Sequence, residues 1–377
     1  MTAFLSRACA LALLTASAIV SAVPAQAKID QAKPTVEVAF ILDTTGSMAS
    51  LIEGAKRKIW SIATTIIDDN PGADIRMGLV AYRDIGDEYV TRRIELTTDI
   101  QDLYAQLLEL RARGGGDWPE SVNEALHEGI TKLSWTSGPE VSRIVFLVGD
   151  APPHMDYQQD MKYPQVLALA KQKDIVVNAV QAGEARDTLR VWREIAQMGD
   201  GEYIPIPQDG GKLVVIETPF DTEIIELQEK LNGTVIPYGP RHQRSSVEHK
   251  TRQAASAPKP AAADMAGYLN KRARTASAAE AITGSGDLVA DVAAGRQQLS
   301  AVKDDELPDA FRTMKPEERQ AAISRQMSDR KALNDRMTEL VKKRDAFVAE
   351  QQKKQPVKAA DSFDRAVQST LKAQIKR

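Results

Sequence analysis

Cysteine is nearly absent: the 377-residue chain contains one, Cys9. It lies in an apolar run from Ala8 to Val23 that follows Arg7 and precedes Ala25-Gln26-Ala27, a small-x-small cleavage pattern. The run is too short and too rich in small residues for a membrane span, and residues 1–27 read as a secretory signal peptide cleaved near Ala27. An uncleaved anchor is the competing reading. Once the leader is gone no cysteine remains, so a disulfide framework is excluded and stability must come from an ordinary core. Arg7-Ala8 ahead of Cys9 argues against a lipid anchor. The expected destination is the periplasm or the outside of a bacterium-like cell.

Other absences narrow the function. Aromatic residues make up 5% of the chain and do not interleave with the basic residues near its end, which excludes a nucleic-acid surface. There is no Gly-Lys-Ser phosphate loop, no Gly-x-Ser-x-Gly elbow, no His-Glu-x-x-His and no kinase signature. No internal repeat is visible, and the apolar positions of the longest helical stretch are too dilute for a sustained coiled coil.

What is present divides in two. Roughly 350 residues remain after the leader, more than one typical domain. Residues 241–377 hold roughly 27 Lys/Arg against 18 Asp/Glu, and the rest roughly 22 against 34, so the front is acidic and the back basic. Front-to-back docking, an anionic partner and mere solubility all fit that asymmetry.

The front, residues 34–237, alternates strand-like and helix-like segments. That pattern gives an α/β fold with a Rossmann-like, doubly wound, mostly parallel sheet. Val36 to Leu42 is apolar except for Glu37 and reads as a buried central strand; Val141 to Gly149 reads the same way. The strand at Val36 ends in Asp43-Thr44-Thr45-Gly46-Ser47, where a tight turn can aim the oxygens of Asp43, Thr45 and Ser47 at one point. Oxygen-only ligands suit a hard divalent cation: Mg²⁺ first, then Mn²⁺ or Ca²⁺. The loops after the first and fourth strands should meet where the strand order reverses, bringing Asp150 to Asp43. A third loop, Gly114-Gly115-Gly116, is followed by Asp117, the expected third contributor. Asp117 is alternatively the cap of a helix starting at Pro119.

VAFILDTTGSM resembles the D-x-S/T-x-S signature of von Willebrand factor type A domains with a metal-ion-dependent adhesion site, and GLVAYRD, GGGDWPE and LVGDAPPH resemble blocks of a bacterial exported branch. The resemblance covers about residues 34–237. It implies a cation held by Asp43, Thr45, Ser47 and Asp150 and completed by a Glu or Asp of a partner protein. Where the family usually has a Thr, this chain has Asp117, which implies tighter cation holding and weaker capture of an acidic partner. Ser121 is the alternative hydroxyl.

The neighbours carry weaker expectations. Trp118 reads as an exposed partner anchor or as a side chain packed under the loop. His154 reads as a partner contact, a base or a plain surface histidine. Arg83 and Asp84 are expected to pair and hold loops, and Asp84, Asp87 and Glu88 form either a second cation site or a solvated acidic loop.

Beyond the front, residues 241–263 read as a linker and 264–377 as a helical, partly disordered tail. Glu317 to about Gln352 is the longest helix there, its apolar face interrupted by Arg330, Asn334 and Arg344. It is expected to be solvated, docked on another helix, or paired between chains. The functional expectation is a non-enzymatic, exported binding protein. Two alternatives stand: a scaffold with a structural cation, and a phosphohydrolase of the haloacid dehalogenase type, for which Thr45 occupies the place of the needed second Asp.

Overall fold

A computed structural model describes residues 34–211, 216–255, 257–275, 280–284, 286–354 and 362–375. The expected leader, 1–27, lies outside the described residues. The front runs β1 (Thr35–Asp43), α1 (Ala49–Asp69), β2 (Asp74–Tyr82), β3 (Thr91–Thr97), α2 (Ile100–Glu109), α3 (Val122–Thr131), β4 (Val141–Gly149), α4 (Tyr163–Gln172), β5 (Ile175–Ala182), α5 (Arg186–Met198) and β6 (Asp200–Ile206). After it come α6 (Asp221–Asn232), α7 (Arg241–Ala255), α8 (Lys259–Thr275), the short α9 (Glu280–Thr283), α10 (Leu288–Ala293) and α11 (Asp309–Arg312), then α12 (Pro316–Lys354) and α13 (Phe363–Gln374).

The strands form one sheet in the order β3-β2-β1-β4-β5-β6. Only the β2–β3 pair is antiparallel. The chain leaves β1 toward β2 on one side and returns to β4 on the other, so the strand order reverses between β1 and β4. Leu42 pairs with Val148, which sets Asp43 at the same edge as Gly149 and Asp150. Along β1 the side chains alternate faces. Val36, Val38, Phe40 and Leu42 enter one core with α1 and α2, while Ala39 and Ile41 enter the other with α3, α4 and α5. Both faces are covered, which is why β1 and β4 read as nearly unbroken apolar runs. Glu37, fully buried, accepts hydrogen bonds from Thr136 N (2.9 Å) and Thr136 Oγ1 (2.6 Å) and pairs with Arg76.

The stretch expected as a linker, 241–263, is instead helical over most of its length, in α7 and the start of α8. Nor do the C-terminal helices stand apart. Met265, Tyr268 and Leu269 of α8, and Phe363, Val367 and Leu371 of α13, belong to the same core as β1 and α1. Tyr268 packs on Trp60 of α1 (centroids 5.5 Å), and Phe363 meets Phe40 of β1 edge-on (6.2 Å). Gln374 of α13 exchanges two hydrogen bonds with the buried Asn178 of β5, at 2.7 and 2.9 Å. The basic back meets the acidic front through Lys271–Asp68 (2.8 Å) and Lys372–Asp69 (3.5 Å), and Lys250 pairs with Asp99. Part of the basic back is thus spent in contact with the acidic front.

The residues that interrupt the apolar face of α12 are part of its docking. Arg344 reaches Asp221 of α6 (2.8 Å) and Asp264 of α8 (2.7 Å). Arg330 reaches Asp287 (2.7 Å) and the hydroxyl and carbonyl of Thr234 (2.8 and 2.9 Å). Both arginines are buried. Met337, Leu340 and Val341 pack between them against α6 and α8, so α12 docks on other helices of its own chain. Among the described residues no helix is long and apolar enough to cross a membrane.

Because α13 completes the core under β1, Leu371→Ala should cost about 2–5 kcal/mol. Denaturant unfolding followed by circular dichroism and by tryptophan fluorescence should give coincident transitions in the wild type. Early loss of helix with the sheet core left intact would contradict the shared core.

Candidate functional site

Asp43 ends β1 with its carboxylate wholly buried. Its Oδ1 accepts hydrogen bonds from the Thr45 amide (2.8 Å) and from Thr45 Oγ1 (2.6 Å). Its Oδ2 is buried and has no hydrogen-bond partner. Thr45 Oγ1 lies 3.3 Å from Ser47 Oγ, and Ser47 is exposed, so the hydroxyl ladder runs from the buried carboxylate to the surface. Thr44 faces the other way, donating from Oγ1 to Tyr82 O (2.9 Å) and meeting Tyr89 Oη at 2.8 Å, which pins the loop. Asp150, buried after β4, accepts from Gln208 Nε2 (2.7 Å) through its carboxylate and from Thr188 Oγ1 (2.8 Å) through its carbonyl. Asp43, Thr45 and Ser47 are thus joined in one loop, and Asp150 follows the neighbouring strand at the same edge of the sheet. Gly149 makes room for this: a Cβ there would run into Tyr82 Oη.

The glycine loop joins through Gly46 N donating to Gly114 O (3.2 Å). The Asp117 side chain is 62% exposed and lies 3.4 Å from His154 Nε2. Glu120, which sequence reasoning missed, is buried. A Cβ on Gly115 would sit 3.2 Å from both Glu120 Oε1 and Thr45 Cβ, so Glu120 and Thr45 bracket that bare glycine backbone, whose φ of 83° itself favours glycine. Glu120 Oε2, like Asp43 Oδ2, is buried without a hydrogen-bond partner. The helix α3 starts at Val122 rather than Pro119, and Asp117 does not cap it. Between them Glu120 forms a parallel bridge with Pro153, its amide donating to Pro152 O (3.0 Å) and its carbonyl accepting from His154 N (3.0 Å). A helical start at Pro119 hid Glu120 from the sequence reading. The available signal was a glutamate between Pro119 and the first helical turn of a glycine-rich loop.

The remaining neighbours also differ from expectation. Ser121 Oγ donates to Asp84 Oδ1 (2.8 Å) and takes no place beside Asp43. Arg83 pairs with Glu88 (3.3 Å), stacks over Tyr89 and donates to Arg111 O (2.8 Å), leaving Asp84 to other partners. Asp87 Oδ2 accepts from the Gly115 amide (3.1 Å) and braces the glycine loop. Trp118 is 47% exposed and donates to Asp187 (2.6 Å), so it is not packed beneath the loop. His154 is 6% exposed, a buried side chain and not the surface histidine expected.

The electrostatics match buried carboxylates facing each other. Burial first, then the charges of Asp150 and Asp87, push Asp43 up to about 7 against the pull of its Thr45 hydrogen bonds. Burial, then the charge of Asp43, pushes Glu120 up to about 9. Two orphaned carboxylate oxygens, two hydroxyls and an acidic surround are the donor set of a hard cation.

The fold and this loop constellation define a doubly wound α/β domain with an oxygen-lined edge between β1 and β4. Residues 37–216, just under half of the chain, match the family model of the von Willebrand factor A domain. The chain is 30% identical over 119 residues to a putative ariadne-like RING finger protein of Acanthamoeba polyphaga mimivirus, covering 32% of this chain and 11% of that protein. It is 29% identical over 130 residues to alpha-protein kinase vwkA of Dictyostelium discoideum (34% and 20%) and 32% identical over 123 residues to human von Willebrand factor A domain-containing protein 7 (32% and 12%). The chain thus spans only a tenth to a fifth of these relatives. Among solved structures, the VWA domain of SpRpn10 aligns over 47% of this chain and 89% of its own, with a TM-score of 0.35 at 14% identity.

Both raised carboxyls hold their proton more tightly in the folded chain than in the unfolded one, so they favour folding at low pH and lose that contribution as the pH rises toward 7 for Asp43 and 9 for Glu120. In chelator, wild type should therefore lose stability relative to Asp43→Asn between pH 4 and 7, with a slope approaching about 1.4 kcal/mol per pH unit. Paired thermal melts across that range check this, and a constant gap would contradict it.

Proposed function

We propose that this chain is a non-enzymatic, exported interaction protein whose von Willebrand factor A domain holds a divalent cation, Mg²⁺ first, with Mn²⁺ or Ca²⁺ as alternatives. Asp43, Thr45, Ser47 and Asp150 are the ligands, with Glu120 in the role that Asp117 was expected to fill. The observation that carries the reading is Asp43 Oδ2, a buried carboxylate oxygen with no hydrogen-bond partner beside two hydroxyls. Such an oxygen is costly unless a cation meets it. Domains of this family typically serve protein–protein interaction, and the exposed Ser47 leaves the cation a free side for an acidic residue of a partner protein. The export reading rests on the leader-like sequence of residues 1–27.

A second reading, a purely structural cation, is favoured by Glu120. With Asp43 and Asp150 it gives three acids around one dication, which weakens the pull on a partner carboxylate. A phosphohydrolase has less support, since Thr45, where the general acid would stand, is engaged with Asp43 Oδ1.

Calorimetric titration with Mg²⁺ should show one site, abolished in Asp43→Ala and weakened at least tenfold in Glu120→Gln, with Asp117→Asn close to wild type. No cation binding by the wild type would remove the proposal's foundation. Pull-down from an extract of exported proteins, with and without chelator, separates the first two readings: a partner retained in chelator favours the structural cation.

A further inference from the structure

On the outer side of the glycine loop, a second group of side chains comes together independently of Asp43. Among the described residues, Asp84, Asp117 and His154 offer ligand atoms that all lie within 4.8 Å of one another. His154 Nε2 stands 3.5 Å from Asp84 Oδ2 and 3.4 Å from Asp117 Oδ2. The imidazole is buried, yet Nε2 makes no hydrogen bond to either carboxylate. We propose that Asp84, Asp117 and His154 form a binding site for a first-row transition-metal dication, zinc before manganese, separate from the oxygen-lined Asp43 site.

Three features of the surroundings carry this. First, His154 Nδ1 lies 2.8 Å from Asp156 Oδ1. An ionised carboxylate accepts only, so the proton sits on Nδ1. That is the outer carboxylate–histidine pairing that orients a metal-bound imidazole and leaves Nε2 as the ligand atom. Second, the ring cannot swing away. It stacks on Tyr157 (3.9 Å between centroids, 9° between planes), and the His154 amide is held by Glu120 O. Tyr157 in turn donates to Asp84 Oδ2 (2.8 Å) while Ser121 donates to Asp84 Oδ1 (2.8 Å), so the buried carboxylate is oriented at both oxygens. Third, the spacing fits. Ligand bonds of about 2.0–2.1 Å at tetrahedral angles separate neighbouring ligand atoms by about 3.3 Å, close to the two observed nitrogen–oxygen distances.

The donor chemistry separates the two sites. A nitrogen with two carboxylates suits zinc, whereas magnesium prefers oxygen alone. Asp117 is exposed, so the remaining coordination position faces solvent, next to the exposed Trp118.

The test titrates the full chain with Zn²⁺, and in parallel with Co²⁺ as a spectroscopic probe, in excess Mg²⁺ so that the Asp43 site is not read. The expected result is one equivalent bound, with the intense visible bands of tetrahedral Co²⁺. Asp117→Ala, at an exposed side chain, should keep the wild-type melting temperature in the absence of zinc and lose at least tenfold in zinc affinity. Asp156→Asn should lose about 10–100-fold, and Asp43→Ala should bind Zn²⁺ as wild type does. No zinc binding by the wild type would overturn the proposal. Binding unchanged in both Asp117→Ala and His154→Ala would overturn it in favour of the other histidines, and binding lost in Asp43→Ala would place the zinc in the first site.

Discussion

The parallel pairing of β1 with β4 governs the rest of the molecule. It sets the ends of two fully buried strands side by side, so Asp43 and Asp150 leave the sheet at one edge in register. A carboxylate there has little access to water, and the surrounding loops are built around that problem. Thr45 satisfies one oxygen of Asp43, Gln208 one oxygen of Asp150, and Gly149 removes the side chain that would run into Tyr82. What stays unsatisfied, Asp43 Oδ2 and Glu120 Oε2, marks where positive charge is wanted.

The same pairing needs both faces of the sheet covered, and the front half of the chain does not supply enough helices for this. On the α1 side the cover is completed by α8 and α13, from beyond the stretch that matches the family. The C-terminal region is thereby part of the domain's core and not an appendage. Its basic residues lie on acidic positions of α1 and α2, and its buried arginines tie α12 to α6 and α8. Charge that looks like a solvated face in a helical pattern becomes an internal ion-pair network once another element supplies the carboxylates.

The glycine loop shows how small a structural shift redistributes chemistry. A bridge at Glu120, stapled to Pro152 and His154, sets Glu120 beside Thr45 and leaves Asp117 exposed against His154. One loop thus presents acids to two places, an oxygen-lined edge on its inner side and an imidazole with two carboxylates on its outer side.

Much was legible in the residues alone. Two-sided burial leaves an unbroken apolar run, and alternating periods of strand and helix leave a parallel sheet, so the fold class, the strands and the convergence of Asp43, Thr45, Ser47 and Asp150 could be read directly. The burial of Glu120 could not, because it depends on the helix starting at Val122 and not at Pro119, and on a bridge from Glu120 to Pro153 in a loop distant in the chain. The burial of His154 and the docking of α8 and α13 were equally out of reach, and the docking of α12 stood only as one of three alternatives. They rest on partners far away in the chain, such as Tyr268 on Trp60 and Arg344 on Asp221 and Asp264. Local pattern determined the sheet and the first oxygens at its edge; long-range packing decided which acids stand beside them and what covers the core.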